Sequence, residues 1–209
     1  MKTASTFVSQ ISILVIYALV ILLPLVFTTL TSEYYDSAKF FLLSIAVLVL
    51  LIFLGLKFLT EGKMEIRKTS LDLLLVSFLA VALVSTLISP SRLIALFGLM
   101  PKLYGSFFYV LEITLLYFLV NFNLKNLKQI NLLTHLMLGS GVILAVFSLL
   151  TYFKTPVPIP LIGSFASSAV YLALILPFSL RLLFTQPILG VLVNLIFASS
   201  IVLTGSYPA

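Results

Sequence analysis

The chain has 209 residues, 62% hydrophobic and only 9% charged, with a mean hydropathy of +1.28 and a net charge of +6. A soluble domain of this length has too little interior to hide so much apolar surface, so the solvent for most of it is lipid. The positive charge is then a topology signal rather than a nucleic-acid footprint, and the absence of cysteine excludes a disulfide framework or a thiolate metal site.

The first apolar run, Ser9–Leu30, follows a single Lys2. It is too long for a signal-peptide core and no small-residue cleavage motif follows it, so it reads as an uncleaved first helix. Six further runs follow at Phe40–Leu59, Leu71–Ile88, Phe107–Phe122, Ile130–Tyr152, Ala169–Phe184 and Ile188–Thr204. Most lie near the ~20 residues that a spanning helix needs, the fourth and sixth being short. The predicted fold is therefore all-α: a polytopic transmembrane bundle of about seven spanning helices with short outer-face loops. It forms a single transmembrane domain over residues 1–209. Pro24 and Pro177 lie inside apolar runs and should kink their helices. Gly139-Ser140-Gly141 interrupts the fifth run, and is read as a place where a neighbouring helix comes close.

Basic residues set the orientation. With the N-terminus inside, the inner set is Lys2, Lys57, Lys63, Arg67, Lys68, Lys125, Lys128 and Arg181, and the outer set is Lys39, Arg92, Lys102 and Lys154. Cytoplasmic loops carry the Lys/Arg excess, which places loops 31–39, 89–106 and 153–168 outside. The second of these is unusual, because it holds Arg92 and Lys102 and no acid. Ser89-Pro90 reads as a helix cap with proline at the first position, opening an interfacial helix over Arg92 to Phe97 that Gly98 ends and Pro101 bends away. The two cations either snorkel as helix-end anchors or hold an anionic lipid or phosphate. In the first loop, Glu33, Asp36 and Lys39 read as a solvated helix start. In the third, Pro156, Pro158 and Pro160 favour an extended segment, and Ser167 or Ser168 is expected to cap the next helix.

Glu112 is the one acid well within a predicted span, where an ionisable group is expensive and a functional candidate by default. Either Lys102 or Arg92 is within its reach, or it makes a structural hydrogen bond to a neighbouring helix. His135, the only histidine, lies near the inner end of the fifth run with no acid or second ligand nearby in sequence. There is no phosphate loop, metal-ligand helix pair or serine elbow, and no metal or cofactor is expected.

Four segments, in order, resemble the O-antigen ligase and polymerase superfamily of bacterial inner-membrane enzymes. They are LLPLVF near Leu22 with Lys39 opening the next helix; LDLLLVSFLAVALVSTLIS with LFGLMPKLYGSFFYVLEITLLYF; IGSFASSAVYLALILPF; and LTGSYPA. The second is similar to a helix ending in serine followed by G-x-x-x-R-x-x-G, the third to G-x-F-x-N-x-N-x-x-A-x-Y-L, and the last to the start of T-x-S-R. Three positions depart from the pattern. Lys102 stands where the family has Arg, Ser167 and Ser168 fall near its Asn positions, and Tyr207 replaces its last Arg. Members of the family continue into a large periplasmic loop with functional His and Arg and into further helices, so the chain looks like the N-terminal part of such a protein.

The resemblance implies metal-independent glycosyl transfer at the periplasmic face, in the assembly of lipopolysaccharide or another surface polysaccharide. The donor would be a polyprenyl-diphosphate-linked glycan, with Arg92 and Lys102 holding the diphosphate leaving group. The catalytic residues would belong to the later loop. The expected surroundings are membrane lipid in the bacterial inner membrane, with no nucleic-acid partner. A transporter or lipid-linked glycan flippase, and a non-catalytic membrane scaffold, are the alternatives. No inverted repeat supports the transporter.

Overall fold

A computed structural model describes residues 2–26, 36–61, 68–99, 103, 105–153 and 165–205. Among them are eight helices and no sheet: α1 (Lys2–Leu25), α2 (Asp36–Glu61), α3 (Ser70–Ile88), α4 (Arg92–Phe97), α5 (Phe107–Asn123), α6 (Leu127–Tyr152), α7 (Phe165–Thr185) and α8 (Pro187–Gly205). The protein is an all-α, polytopic helix bundle. Six helices are long and apolar enough to cross a membrane, and α5 is a shorter apolar helix of 17 residues. At 1.5 Å per residue α5 extends roughly 25 Å, somewhat under a typical hydrocarbon core. Large apolar side chains stand in the open along these helices, including Leu73 at 79% and Ile88 at 78% exposure on α3. Water would not tolerate such a surface, and lipid does.

The bundle divides into two compact units. One comprises Met1–Leu19 with Asp36–Gln129, the other Val20–Tyr35 with Ile130–Ala209.

In the first unit α5 packs against α2, α3 and α4, and α3 against α4. Leu43, Val47 and Leu50 of α2 and Leu119 of α5 are buried. In α3 the only buried residue is Thr86. Apolar residues run all round that helix, as expected of a helix wrapped mainly in lipid. The start of α3 is fixed locally: the Asp72 carboxylate accepts the Thr69 backbone N–H at 2.8 Å and the Thr69 hydroxyl at 2.6 Å. Tyr117 of α5 donates to the same carboxylate at 3.2 Å, tying α3 to α5. At the start of α6, the Gln129 side chain accepts the backbone N–H groups of Lys125 and Asn126, both at 3.1 Å.

In the second unit α6, α7 and α8 share an apolar core of Leu138, Leu144, Ala145, Leu172, Ile175, Leu182, Val193 and Phe197. α7 and α8 form a tight antiparallel hairpin. Gln186 alone separates them, its N–H donating to Leu182 O at 2.7 Å and its carbonyl accepting from Gly190 N at 2.8 Å. Glycine at 190 is required, because a Cβ there would stand 2.5 Å from the backbone nitrogen of Leu183. Across the hairpin Ser179, fully buried, donates to Asn194 Oδ1 at 2.8 Å, and Asn194 Nδ2 donates to the carbonyls of Ser179 and Gly190. Such side-chain bonds between spanning helices hold polar groups where water is absent.

Several expectations from sequence are refined. The segment Gly139-Ser140-Gly141 lies inside an unbroken α6 and brings helices together, though at two of its three positions. A Cβ on Gly141 would stand 2.2 Å from Ile175 Cδ1 and 3.0 Å from Phe197 Cζ, and Ser140 meets the Tyr171 hydroxyl at 3.3 Å, whereas Gly139 faces open space. Ser167 and Ser168 do not cap α7; the helix starts at Phe165 and takes both into its first turn. A serine hydroxyl can also bond back within its own helix, as Ser12 does to Val8 O and Ser44 to Phe40 O, so a serine near an expected start does not by itself fix it. Pro24 is the penultimate residue of α1, and Pro177 lies within α7.

Candidate functional site

The helix expected over Arg92 to Phe97 is present with those bounds as α4. Its cap differs from the expectation. Ser91 is the N-cap, and Ser89-Pro90 forms the turn before it. The reason is the proline, which drives the residue before it out of the helical region: Ser89 has φ −59° and ψ 135°. Its hydroxyl instead accepts the Ser91 N–H at 3.3 Å. Gly98 ends α4 at φ 83°, with its N–H donating to Ile94 O at 2.8 Å. A side chain would be strained at that angle, so glycine is what lets the chain turn here.

Aromatic packing anchors this short helix. The Phe97 ring stacks on Phe108 of α5, with centroids 4.9 Å apart and planes 18° from parallel. Leu93 and Ile94 remain exposed, as they would on a helix lying in the interface. Arg92 is exposed at the start of α4, and among the described residues its guanidinium has no hydrogen-bond or ionic partner. Lys102, the second expected cation, lies outside the described residues. Gly105, at φ 90°, and buried Ser106 then open α5, the Ser106 hydroxyl accepting the Tyr109 N–H at 3.3 Å.

Glu112 makes a hydrogen bond to a neighbouring helix, while Lys102 lies outside the described residues. The Glu112 Oε1 accepts the Ser44 hydroxyl of α2 at 2.7 Å, while Oε2 is buried and unpartnered among the described residues. No described contact links it to Arg92. Close by, Phe40 of α2 and Tyr109 of α5 stack at 6.2 Å, so one aromatic and one polar contact pin α2 to α5. Farther along the same pair of helices Lys57, 9% exposed, lies 5.0 Å over the Phe122 ring, with Lys125 at 6.0 Å from the same ring. A ring face attracts a cation that is partly removed from water, which lets a lysine sit in so apolar a helix.

In the second unit α6 and α7 form an open cleft of about 260 Å³. Its polar lining is Asn131, Thr134, His135, Arg181, Thr185 and Gln186, and its apolar lining is Leu138, Phe178 and Leu182. The His135 Nδ1–H donates to Asn131 O at 2.6 Å, and Arg181 Nη1 donates to Asn131 Oδ1 at 3.4 Å. His135 is thus part of a polar cluster rather than an isolated ring. The spacing is legible in the sequence: Thr134, His135 and Leu138 lie three, four and seven residues beyond Asn131, as Arg181, Leu182 and Thr185 do beyond Phe178 on α7. What the sequence lacked was the pairing of those two faces.

The chain matches no protein family, no curated protein and no solved structure when compared with them.

Proposed function

We propose that this multi-pass membrane protein holds the diphosphate of a polyprenyl-linked glycan at the outer face of a bacterial inner membrane. It would serve in glycosyl transfer or polymerisation of surface polysaccharide, in the manner of the O-antigen ligase and polymerase superfamily it resembles. The N-terminus is cytoplasmic in this reading, as the Lys/Arg distribution favours. The observation that carries the proposal is α4: an exposed arginine without a partner among the described residues, on a short helix clamped to α5 by Phe97 and Phe108 and set between apolar helices α3 and α5.

The chemistry follows from that placement. A guanidinium at the membrane surface offers a fork of N–H donors to phosphate oxygens, stronger than neutral donors and needing no metal. As an acceptor-sugar hydroxyl bonds to the anomeric carbon and the bond from that carbon to the diphosphate breaks, negative charge would gather on the leaving diphosphate, and cations already in place would stabilise it. Lys102 would add a second charge, though without the planar fork.

The test is titration of a polyprenyl-diphosphate analogue into the protein in nanodiscs. Arg92→Gln and Lys102→Gln should each weaken binding roughly tenfold or more, the loss of one charge-assisted contact. Lys102→Arg should hold or improve it. Unchanged affinity in both Gln variants would leave these residues as interfacial anchors and end the reading. Orientation is tested separately: a cysteine at Ser91 should react with an impermeant thiol reagent from outside, and one at Thr69 should not.

A further inference from the structure

From the cleft between α6 and α7 we infer a second anion site, one that binds a phosphate group, with Arg181 as its cation and His135, Thr134, Thr185 and Gln186 as its polar ring. This site lies wholly within the second unit and does not depend on the function proposed for Arg92. None of its lining residues is acidic, and the one formal charge among them is the Arg181 guanidinium. Around that charge stand two carboxamides, an imidazole and two hydroxyls, Thr134 donating to Ile130 O at 3.0 Å and Thr185 to Arg181 O at 3.4 Å, the second bond long enough to yield to a stronger acceptor. A cation would meet Arg181 with repulsion and find no carboxylate. A neutral sugar would leave the guanidinium unanswered. A phosphate oxyanion satisfies the set.

The guanidinium is only lightly engaged. Its described contact is the 3.4 Å bond to Asn131 Oδ1, long enough to yield to a stronger acceptor. Asn131 itself is well placed to orient the site, since its carbonyl fixes the imidazole through Nδ1–H while its side chain holds the arginine. That bond leaves His135 Nε2 without a partner among the described residues. It is available to accept from a phosphate O–H. The cleft also has an apolar side formed by Leu138, Phe178 and Leu182. At about 260 Å³ it exceeds the ~30 Å³ share of one water many times over, so a phosphate fits with some of the group that carries it. Both helices are long and apolar enough to cross a membrane, and Arg181 lies four residues before the end of α7. Two sources of phosphate suit this chemistry, a lipid headgroup and a soluble phosphate.

The chain contains no tryptophan, so Phe178→Trp places a single indole reporter in the cleft wall. In this background, in maltoside micelles free of phospholipid, the protein is titrated with short-chain phosphatidic acid, with inorganic phosphate, and with short-chain diacylglycerol. A saturable fluorescence change with phosphatidic acid alone assigns a lipid headgroup, and saturation with inorganic phosphate as well assigns a soluble anion. Arg181→Gln should weaken either response roughly tenfold or more, the loss of a charge-assisted contact, and His135→Gln by less. Arg92→Gln should leave it unchanged. Thr185→Val, an exposed position that should not disturb folding, provides a second variant with a several-fold loss expected, and melting curves in the same micelles identify any variant that fails to fold. The inference is overturned if neither phosphate compound gives saturation. It is overturned equally if diacylglycerol matches phosphatidic acid, or if affinity survives in folded Arg181→Gln and Thr185→Val.

Discussion

The two units hold their helices together by different means. In the second, α6, α7 and α8 meet at glycines: Gly141 lies against Ile175 and Phe197, and Gly190 against the backbone of α7. In the first, α5 is joined to its neighbours through side chains that reach across, namely Ser44 to Glu112, Tyr117 to Asp72, Lys57 over Phe122 and Phe97 on Phe108. Lipid offers no hydrophobic drive for helix association, so a membrane bundle relies on close van der Waals fit or on polar and aromatic bridges. This protein uses the first mainly where its buried cluster is continuous, and the second where a helix such as α3 is left almost entirely to lipid.

That contrast is sharpest at Gly190. Gly190→Leu forces a side chain into the α7 backbone, which cannot swing aside, and should destabilise the second unit by about 3 kcal/mol or more. Thermal unfolding in micelles, followed by circular dichroism, should show a large drop in midpoint. A midpoint equal to that of the parent would mean that the hairpin is not held by close backbone approach.

Gly141→Ala should cost about 1–3 kcal/mol, because the added methyl meets the flexible end of Ile175 rather than backbone. Ile175→Val removes Cδ1 and should recover part of the loss, so the double mutant should be more stable than the two single effects predict. Gly139→Ala, facing open space, serves as the control and should be near neutral. Equal effects at 139 and 141 would refute the assignment of the contact to one face.

Asn194→Leu deletes the interhelical bonds to Ser179 and should destabilise the hairpin by roughly 1 kcal/mol, within the range for such bonds in membranes. Ser179 keeps its bond to Leu176 O at 2.7 Å, which limits the penalty.

Apart from the Gly139 control, the smallest effect is expected in the first unit. Ser44→Ala removes the described partner of Glu112 and should cost about 0.6 kcal/mol. A loss as large as that of Gly190→Leu would show that the bridge, and not apolar fit, governs this bundle.

Much of this architecture was legible in the residues alone. Seven apolar runs became α1–α3 and α5–α8, because in lipid a backbone must satisfy itself and long apolar stretches have little choice but helix, and the short helix α4 fell on Arg92–Phe97. Turn chemistry at Gly98 was also readable, since a positive φ asks for glycine. Boundaries set by serine were not: Ser167 and Ser168 joined α7, and Pro90 shifted the cap of α4 to Ser91. A hydroxyl that can bond within its own helix carries little information about where that helix begins.

Tertiary structure decided the rest. Composition and run length settle that the chain folds as spanning helices, since those depend on each segment and its solvent. Which faces meet depends on partners far apart in sequence. Only packing gave Ser44 to Glu112 across 68 residues, and only packing brought Arg181 to Asn131 across 50, making a cleft from residues that read singly as a lone histidine and a helix-end arginine.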